Sequence, residues 1–500
     1  MVTRRRWMKT AAAYASGSLL AGGLAGGLSR QASGAAAPAA GPATGTGGAG
    51  LPNVLILMAD DATYSDLPLW GGKNVKTPHL DRLASEGLTF NQAYMAMSMC
   101  VPCRTELHTG LYPMRSGCCW NHSPALPGTR STPHFLGPLG YRVGIAGKVH
   151  VNPRRCFPFE DVPGVEGNSV SPTAKFDPAP LRAFMARDAR QPFCLTVALV
   201  LPHVVWTVGD PSHFKPKEFD LPAYLVDTPQ MRTDFARYLA EIEVLDQQVG
   251  GVLKALEESG QADRTLVLFT SEQGAQIPAC KWTNYDQGIH TGLVARWPGR
   301  VKPGRRTDAL VQYADILPTL LDAAGADPTK ENFDGTSFLP VLLGARDEHR
   351  RYVYFMHNNV PEGPRYPIRS VRDRRYHYIR NLLPDEIYIE KHVMGLEEHN
   401  PYWLTWMFAT ESDPHAYAMV RRYMRRPAEE LYDTQADPDE LKNLAGDPNL
   451  TEVQARLSAE LDRWMKAQND PGADLDTHEV HQRRNQEARQ YQKTGKVPGR

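Results

Sequence analysis

Cysteine is scarce in this chain: seven in 500 residues, at positions 100, 103, 118, 119, 156, 194 and 280. Only Cys100 and Cys103 have C-x-x-C spacing, and no second such pair answers them, which argues against a paired-hook zinc site. No spacing specifies a disulfide framework, so free thiols are expected for most of the seven. Net charge is missing too, because 56 Lys and Arg offset 56 Asp and Glu. The first forty residues hold five of the cations and no acid, which leaves the remainder at −5. That excludes the broad basic face of a nucleic-acid binder, and an anionic substrate would need a local cationic pocket. Uninterrupted long apolar runs are lacking. The weak run from Ala11 to Leu28 is broken by glycines at 17, 22, 23, 26 and 27 and makes a poor membrane-spanning helix. No internal repeat is evident.

What is present begins with a targeting pattern. Thr3-Arg4-Arg5-Arg6-Trp7-Met8-Lys9, then the weak apolar run, then small residues around Ala32 to Ala40, resemble a twin-arginine signal. Residues 1–40 are expected to be this signal and 41–50 a linker rich in Ala, Gly, Pro and Thr. The expected partner is the twin-arginine translocon, and the destination is the periplasm or the secreted space.

The rest reads as an α/β enzyme with a core of ample size. Val54 to Met58, Phe193 to Leu201 and Thr265 to Phe269 are continuous apolar runs, the pattern of strands buried in a parallel sheet. Tyr141 to Ala146 and Gly292 to Trp297 read as further strands. Thr77-Pro78 opens a helix, another begins near Cys100, and 229–259 and 314–321 have helical character. Alternation of this kind predicts a large, mostly parallel sheet sandwiched by helices over 51–345. From about Arg350 the runs shorten, which predicts a smaller α+β domain over 346–470. Residues 471–500 are polar and read as a peripheral or frayed tail.

The ends of the apolar strands carry the chemistry. The first delivers Asp60-Asp61, the second Pro202-His203, and the third Glu272-Gln273. Open α/β sheets bind ligands at the carboxyl ends of their strands. Carboxylate and amide oxygens suit a hard cation such as Ca²⁺ better than zinc.

With these residues in place, Cys100-Val101-Pro102-Cys103-Arg104 followed by Thr109-Gly110 resembles the sulfatase signature C-x-P-x-R…TG. The resemblance extends through Asp60-Asp61, TPHLDRLASEG at 77–87, Gly147-Lys148-Val149-His150, Pro202-His203, FTSEQG at 269–274 and ELYDTQADPDELKNLA at 430–445. Tyr366-Pro367-Ile368-Arg369, Arg374-Arg375-Tyr376 and Leu431-Tyr432-Asp433 are most similar to sulfamidases, the heparan N-sulfatase-like members of this alkaline-phosphatase superfamily. The resemblance implies that a maturation enzyme, the formylglycine-generating enzyme, oxidises Cys100 to formylglycine. The hydrated aldehyde then attacks sulfur with one hydroxyl, and deprotonation of the other expels sulfate.

Carried onto this sequence, the resemblance implies Ca²⁺ bound by Asp60, Asp61, Glu272 and Gln273 and contacting the group at position 100. It implies Arg104, Lys148 and His150 around the diol, with His150 as base, and His203 and Lys281 on the sulfate. His357, Arg365 and Arg369 are further candidates for contacting the sugar. The chain departs from the family pattern at three places. Glu272-Gln273 stands for the usual Asp-Asn or Asp-His, Cys103 for a common Ser, and Lys281 for the Arg of sulfamidases.

The expected function is hydrolysis of a sulfate ester or sulfamate on a sulfated sugar resembling N-sulfoglucosamine. The alternatives are an O-sulfatase or arylsulfatase, and a phosphonate or phosphate monoester hydrolase. Mass spectrometry of the peptide bearing Cys100 tests the maturation: formylglycine is lighter than cysteine by about 18 Da, whereas thiol oxidation adds mass.

Overall fold

The computed structural model describes residues 50–395 and 401–497, so the expected signal and all but the last linker residue lie outside the described residues. The large sheet has nine strands. In chain order they are β1 (Asn53–Ala59), β2 (Leu88–Tyr94), β3 (Arg142–Gly147), β4 (Glu160–Val162), β5 (Phe193–Ala198), β6 (Thr265–Ser271), β7 (His290–Arg296), β8 (Arg305–Thr307) and β9 (Val311–Gln312). They lie in the order β4-β3-β5-β1-β6-β7-β2-β8, with β9 also on β2. Only β7 runs antiparallel to its neighbours.

β1 shows why the sheet needs helices on both faces. Its residues are all buried, and they alternate between two cores. Leu55, Leu57 and Ala59 join the cluster beneath the thirty-residue helix Pro229–Glu258. Val54, Ile56 and Met58 join the opposite cluster with Cys103, Leu107 and the helix Ile316–Ala323. A strand without a polar face has no side to offer water.

The helix expected at Thr77-Pro78 runs from Pro78 to Ser85, but its cap comes from elsewhere. Thr77 makes no side-chain cap. The Asp246 carboxylate of the long helix accepts from the backbone N–H groups of His79 (3.1 Å) and Leu80 (2.9 Å) instead.

The second sheet is an antiparallel meander of β10 (Val353–His357), β11 (Ile368–Arg372), β12 (Tyr376–Asn381) and β13 (Glu429–Asp433). The hydrophobic cluster under the long helix continues into this sheet through Tyr354, Met356, Ile368 and Tyr378. The α+β texture expected after Arg350 is therefore present. The strand Leu88–Tyr94 and the helices Tyr402–Ala409 and Pro414–Met424 escaped sequence reasoning; Tyr402–Ala409 is apolar almost throughout and so carries little periodicity.

The tail over 471–500, expected to be peripheral or frayed, forms a mostly exposed helix. His478–Thr494 is a helix capped by Thr477. It buries only Ala488 fully and returns to the body through Gln492, whose carbonyl accepts from Arg155 Nε at 2.8 Å. So thin an apolar stripe leaves no periodic signal. Just before it, the buried Asp476 accepts from the backbone N–H groups of Asn359, Val360 and Tyr366 and from the Trp120 indole. Asp476→Ala would leave these donors unanswered. The expected loss is about 2–4 kcal/mol of unfolding free energy, read by chemical denaturation.

Candidate active site

The register of the parallel sheet assembles the site. β1 and β6 pair up to Ala59 opposite Ser271, so Asp60 and Glu272 leave the sheet side by side. The Glu272 N–H donates to the Ala59 carbonyl (3.0 Å) and the Asp60 N–H to the Leu201 carbonyl (3.2 Å). β3 ends opposite β5, and the Lys148 N–H continues the ladder onto the Ala198 carbonyl at 2.9 Å. Four neighbouring strand ends therefore deliver Asp60-Asp61, Glu272-Gln273, Lys148 to His150, and His203.

Cys100 comes from outside the sheet. It is the first residue of the buried helix Cys100–Thr109, whose amino end is favourable to negative charge. The entry to this helix is fastened to the 275–283 loop. The Trp282 N–H donates to the Ser98 carbonyl at 3.1 Å, and the Ser98 hydroxyl to the Thr283 carbonyl at 2.6 Å. Asp61, His150 and Trp282 hold left-handed backbone angles, φ 62°, 39° and 70°. Such conformations are costly for a bulky side chain and concentrate at functional sites.

Around the Cys100 thiol stand Gln273 Nε2 at 3.1 Å, Lys148 Nζ at 3.6 Å, Asp60 Oδ1 at 3.7 Å and Asp61 Oδ1 at 4.0 Å. Lys148 ion-pairs with Asp60, Arg104 with Glu272, and Lys281 Nζ with Asp61 Oδ2 at 2.7 Å. His203 Nε2 lies 3.6 Å from Asp61 Oδ2 and 3.4 Å from Lys281 Nζ. Three carboxylates and three cations thus meet with almost no contact with water.

Burial raises Asp60, but Lys148, His203 and Arg104 outweigh it and hold this carboxyl well below its ordinary value. Burial and the adjacent Asp60 hold Glu272 well above, against the pull of Arg104. Burial pushes the Cys100 thiol up to about 12 despite Lys148 and Lys281. A thiol so placed is protonated at neutral pH and is a poor nucleophile as cysteine. Burial and Lys148 lower His203 to about 4 and hold His150 well below its ordinary value, so both rings are neutral proton acceptors.

The donor set fits a hard divalent cation. Asp60, Asp61, Cys100 and His203 present ligand atoms within 4.8 Å of one another. Glu272, itself in contact with Arg104, adds a third buried carboxylate. The Gln273 amide turns its nitrogen to Asp61 (2.6 Å) and its oxygen to the Cys103 thiol (3.5 Å). Rotation by 180° exchanges the two and presents the oxygen to a cation. Cys103 is fully buried, its thiol donates to the Cys100 carbonyl at 3.2 Å, and burial with Glu272 raises it well above its ordinary value. All seven cysteines are free and buried, so Cys100 and Cys103 are not paired.

A cleft of about 230 Å³ opens onto Cys100, His150, His203 and Lys281. Its other walls include Asn121, His122, Gln276, Trp282 and His392. None of these follows a strand-end motif, and only Trp282, adjacent to Lys281, had a signal nearby. His122 Nδ1 lies 3.1 Å from His150 Nε2. His392 Nε2 lies 2.7 Å from Glu362 and stacks on the Trp282 ring.

Three expected sugar contacts are corrected. His357 and Arg369 are wholly buried and line no part of this cleft. Arg369 ion-pairs with Asp470 and donates to the His357 carbonyl at 3.0 Å. Arg365 donates to the Ala473 carbonyl at 2.6 Å and does not line the cleft. Arg104 also differs in its contacts: it grips Glu272 and the Lys148 carbonyl (2.6 Å) and so positions the ligands.

A nine-stranded, mostly parallel sheet with this cluster at its strand ends is the architecture of the alkaline-phosphatase-like hydrolases. The Sulfatase family profile matches residues 52–326, and the profile described as N-sulphoglucosamine sulphohydrolase, C-terminal, matches 280–391. The chain belongs to the sulfatase family and is a sulfamidase-like hydrolase of sulfuric esters or sulfamates. An ulvan-active sulfatase of Formosa agariphila is 33% identical over 433 residues, covering 84% of this chain and 81% of that one. Human N-sulphoglucosamine sulphohydrolase is 28% identical over 470 residues, covering 84% and 91%. Among solved structures, BT4656 in complex with its substrate D-glucosamine-2-N,6-O-disulfate superposes with a TM-score of 0.64 at 19% identity, covering 85% and 100%. A phosphonate monoester hydrolase of Agrobacterium radiobacter does so at 0.64 and 21%, covering 83% and 96%. At these identities the structures establish the fold.

Arg369→Ala is expected to lower stability by about 3–5 kcal/mol, since it strands the buried Asp470. The folded variant should keep its KM. A raised KM in protein that is as stable as the parent would restore Arg369 to the substrate site.

Proposed function

We propose that this enzyme removes sulfate from a sulfated sugar, using formylglycine made from Cys100 and a bound Ca²⁺. One observation carries the reading. Cys100 sits at a helix amino end against two carboxylates and a lysine, in the floor of a cleft, yet as a thiol it is too basic to react. The position suits a nucleophile, and the side chain as translated does not.

Asp60, Asp61, Glu272 and Gln273 would hold the cation, which when bound acts as a Lewis acid on a sulfate oxygen. The matured Cys100 would supply the attacking hydroxyl. The protein's own groups do the rest. Lys281 and His203 line the cleft over Asp61, and Lys281, held protonated, can bind the sulfate and hand a proton to the departing atom. Neutral His150, beside Lys148, can take the proton released when sulfate departs. Arg104 fixes Glu272 and the Lys148 backbone. With all three carboxylates ionised, their charge equals that of the three cations. A divalent ion leaves an excess of positive charge that matches an anionic substrate.

The human relative is named for N-sulphoglucosamine and the bacterial one for ulvan, so a sulfamate and a sugar sulfate ester are both in scope. We also propose that the protein is exported through the twin-arginine route. Export of folded protein requires Cys100 to be oxidised in the cytoplasm first.

The test is a screen of sulfated mono- and disaccharides, N-sulfoglucosamine and ulvan fragments included, with sulfate release measured. Activity should vanish on chelation of calcium and in Cys100→Ala, whose fold should be intact by circular dichroism. Much faster cleavage of phosphate monoesters than of any sulfate by aldehyde-bearing, calcium-loaded protein would sink the reading.

A further inference from the structure

Away from the catalytic cleft, two cavities of about 580 and 410 Å³ meet at one side chain, Arg374. They share no residue with the cleft over Cys100. One is walled by the loops before β9 and β10, the β11–β12 turn and the helix Thr451–Ala467. The other lies against the starts of β7 and β8 and the end of β2. Seven arginines and four carboxylates line the pair.

The seven divide by partner. Arg350 pairs with the buried Asp315, Arg372 with the buried Asp286, Arg375 with Asp433 at 2.7 Å, and Arg456 with Asp373 at 2.7 Å. These four fix the walls. The other three are exposed, as Arg375 is, but lack a buried or well-sheltered carboxylate partner among the described residues. Among the described residues, Arg306 donates only to neutral oxygens, Leu69 O at 2.7 Å and Asn91 Oδ1 at 3.1 Å. Arg351 lies over the Tyr352 ring at 5.2 Å and makes no ion pair with a described carboxylate. Arg374 reaches Glu348 at 3.3 Å and Asp308 at 3.8 Å, with every partner about half exposed or more. Exposed pairs of this kind are worth about 0–1 kcal/mol and exchange readily for another anion.

Aromatic side chains line the same cavities. Trp70 is pinned by its indole N–H on the Phe90 carbonyl at 2.8 Å, Tyr64 is stacked on His290, and Tyr376 lines the other cavity. Guanidinium forks match sulfate oxygens, and aromatic faces match the apolar faces of sugar rings.

We propose that this groove is a second binding site, for a sulfated polysaccharide chain, with Arg306, Arg351 and Arg374 as its sulfate contacts. The proposal rests on the sulfated-sugar reading of the catalytic cleft and extends it from a single sulfated sugar to a polymer. A body of net charge −5 repels a long polyanion on average, so an enzyme acting on one gains from a local cationic track.

The test uses the full chain carrying Cys100→Ala, so that binding is read without turnover. The probe is dextran sulfate, with unsulfated dextran and duplex DNA as comparisons. R306S/R351S/R374S is expected to weaken dextran sulfate binding at least tenfold. It should also flatten the slope of log affinity against log salt by about two to three, one unit per lost contact. In the chain with Cys100 intact, the same three changes should leave kcat/KM on a sulfated monosaccharide within twofold. Undiminished dextran sulfate binding by the triple variant overturns the proposal, as does DNA binding as tight as that of dextran sulfate. An equal loss on monosaccharide and polymer also overturns it. Because binding is measured directly, failure here is separable from a failure to release sulfate.

Discussion

Three carboxylates held out of water at two adjacent strand ends are the constraint on which the site depends. Asp60, Asp61 and Glu272 are fully buried, and like charges this close cannot all ionise unaided. Each is met by one cation, Lys148, Lys281 or Arg104, and each cation comes from a different element: the end of β3, the 275–283 loop and the helix that begins at Cys100. Removing one partner of a buried pair is far more damaging than never having built it. The loop, the helix and the strand ends are therefore locked to one another through charge. The reactive position, one turn before Arg104, is locked with them.

The split behaviour of the acids follows from the same arrangement. Asp60, paired with Lys148, is held low, while Glu272 has Asp60 beside it and is held high. A divalent cation would relieve that conflict directly. The substitution of Glu-Gln for the shorter family pair moves the oxygens one methylene further from the β6 backbone. Cys103, compact and buried beneath Glu272 and Gln273, sits where those longer side chains pass. Its thiol is sealed from water, and burial with Glu272 holds it well above its ordinary value.

The carboxy-terminal third behaves as a scaffold for the same cluster. Arg369 and Asp470, and Asp476 with its four donors, tie the second sheet to the segment that follows it. Read as surface polars near a substrate, these residues look functional; in place, they are interior anchors. The cavity-lining arginines with weak or no carboxylate partners are elsewhere, at Arg306, Arg351 and Arg374, and composition alone does not separate them from paired neighbours such as Arg372 and Arg375.

The sequence by itself determined the strands, the motif and the ligand types. Continuous apolar runs can only be buried on both faces, so β1, β5 and β6 and the residues just after them were legible, and with them Asp60, Asp61, His203, Glu272 and Gln273. C-x-P-x-R marked Cys100 by a local pattern that needs no fold to be read. What only the tertiary structure decided was which polar groups face the cleft and which face each other. His122, Trp282 and His392 reach the cleft from segments with no periodic signal, and Arg369 turns inward to a carboxylate 101 positions away. A linear sequence specifies periodicity along the chain. Side-chain partners across the chain are set by packing, and charge pairing is a property of those partners.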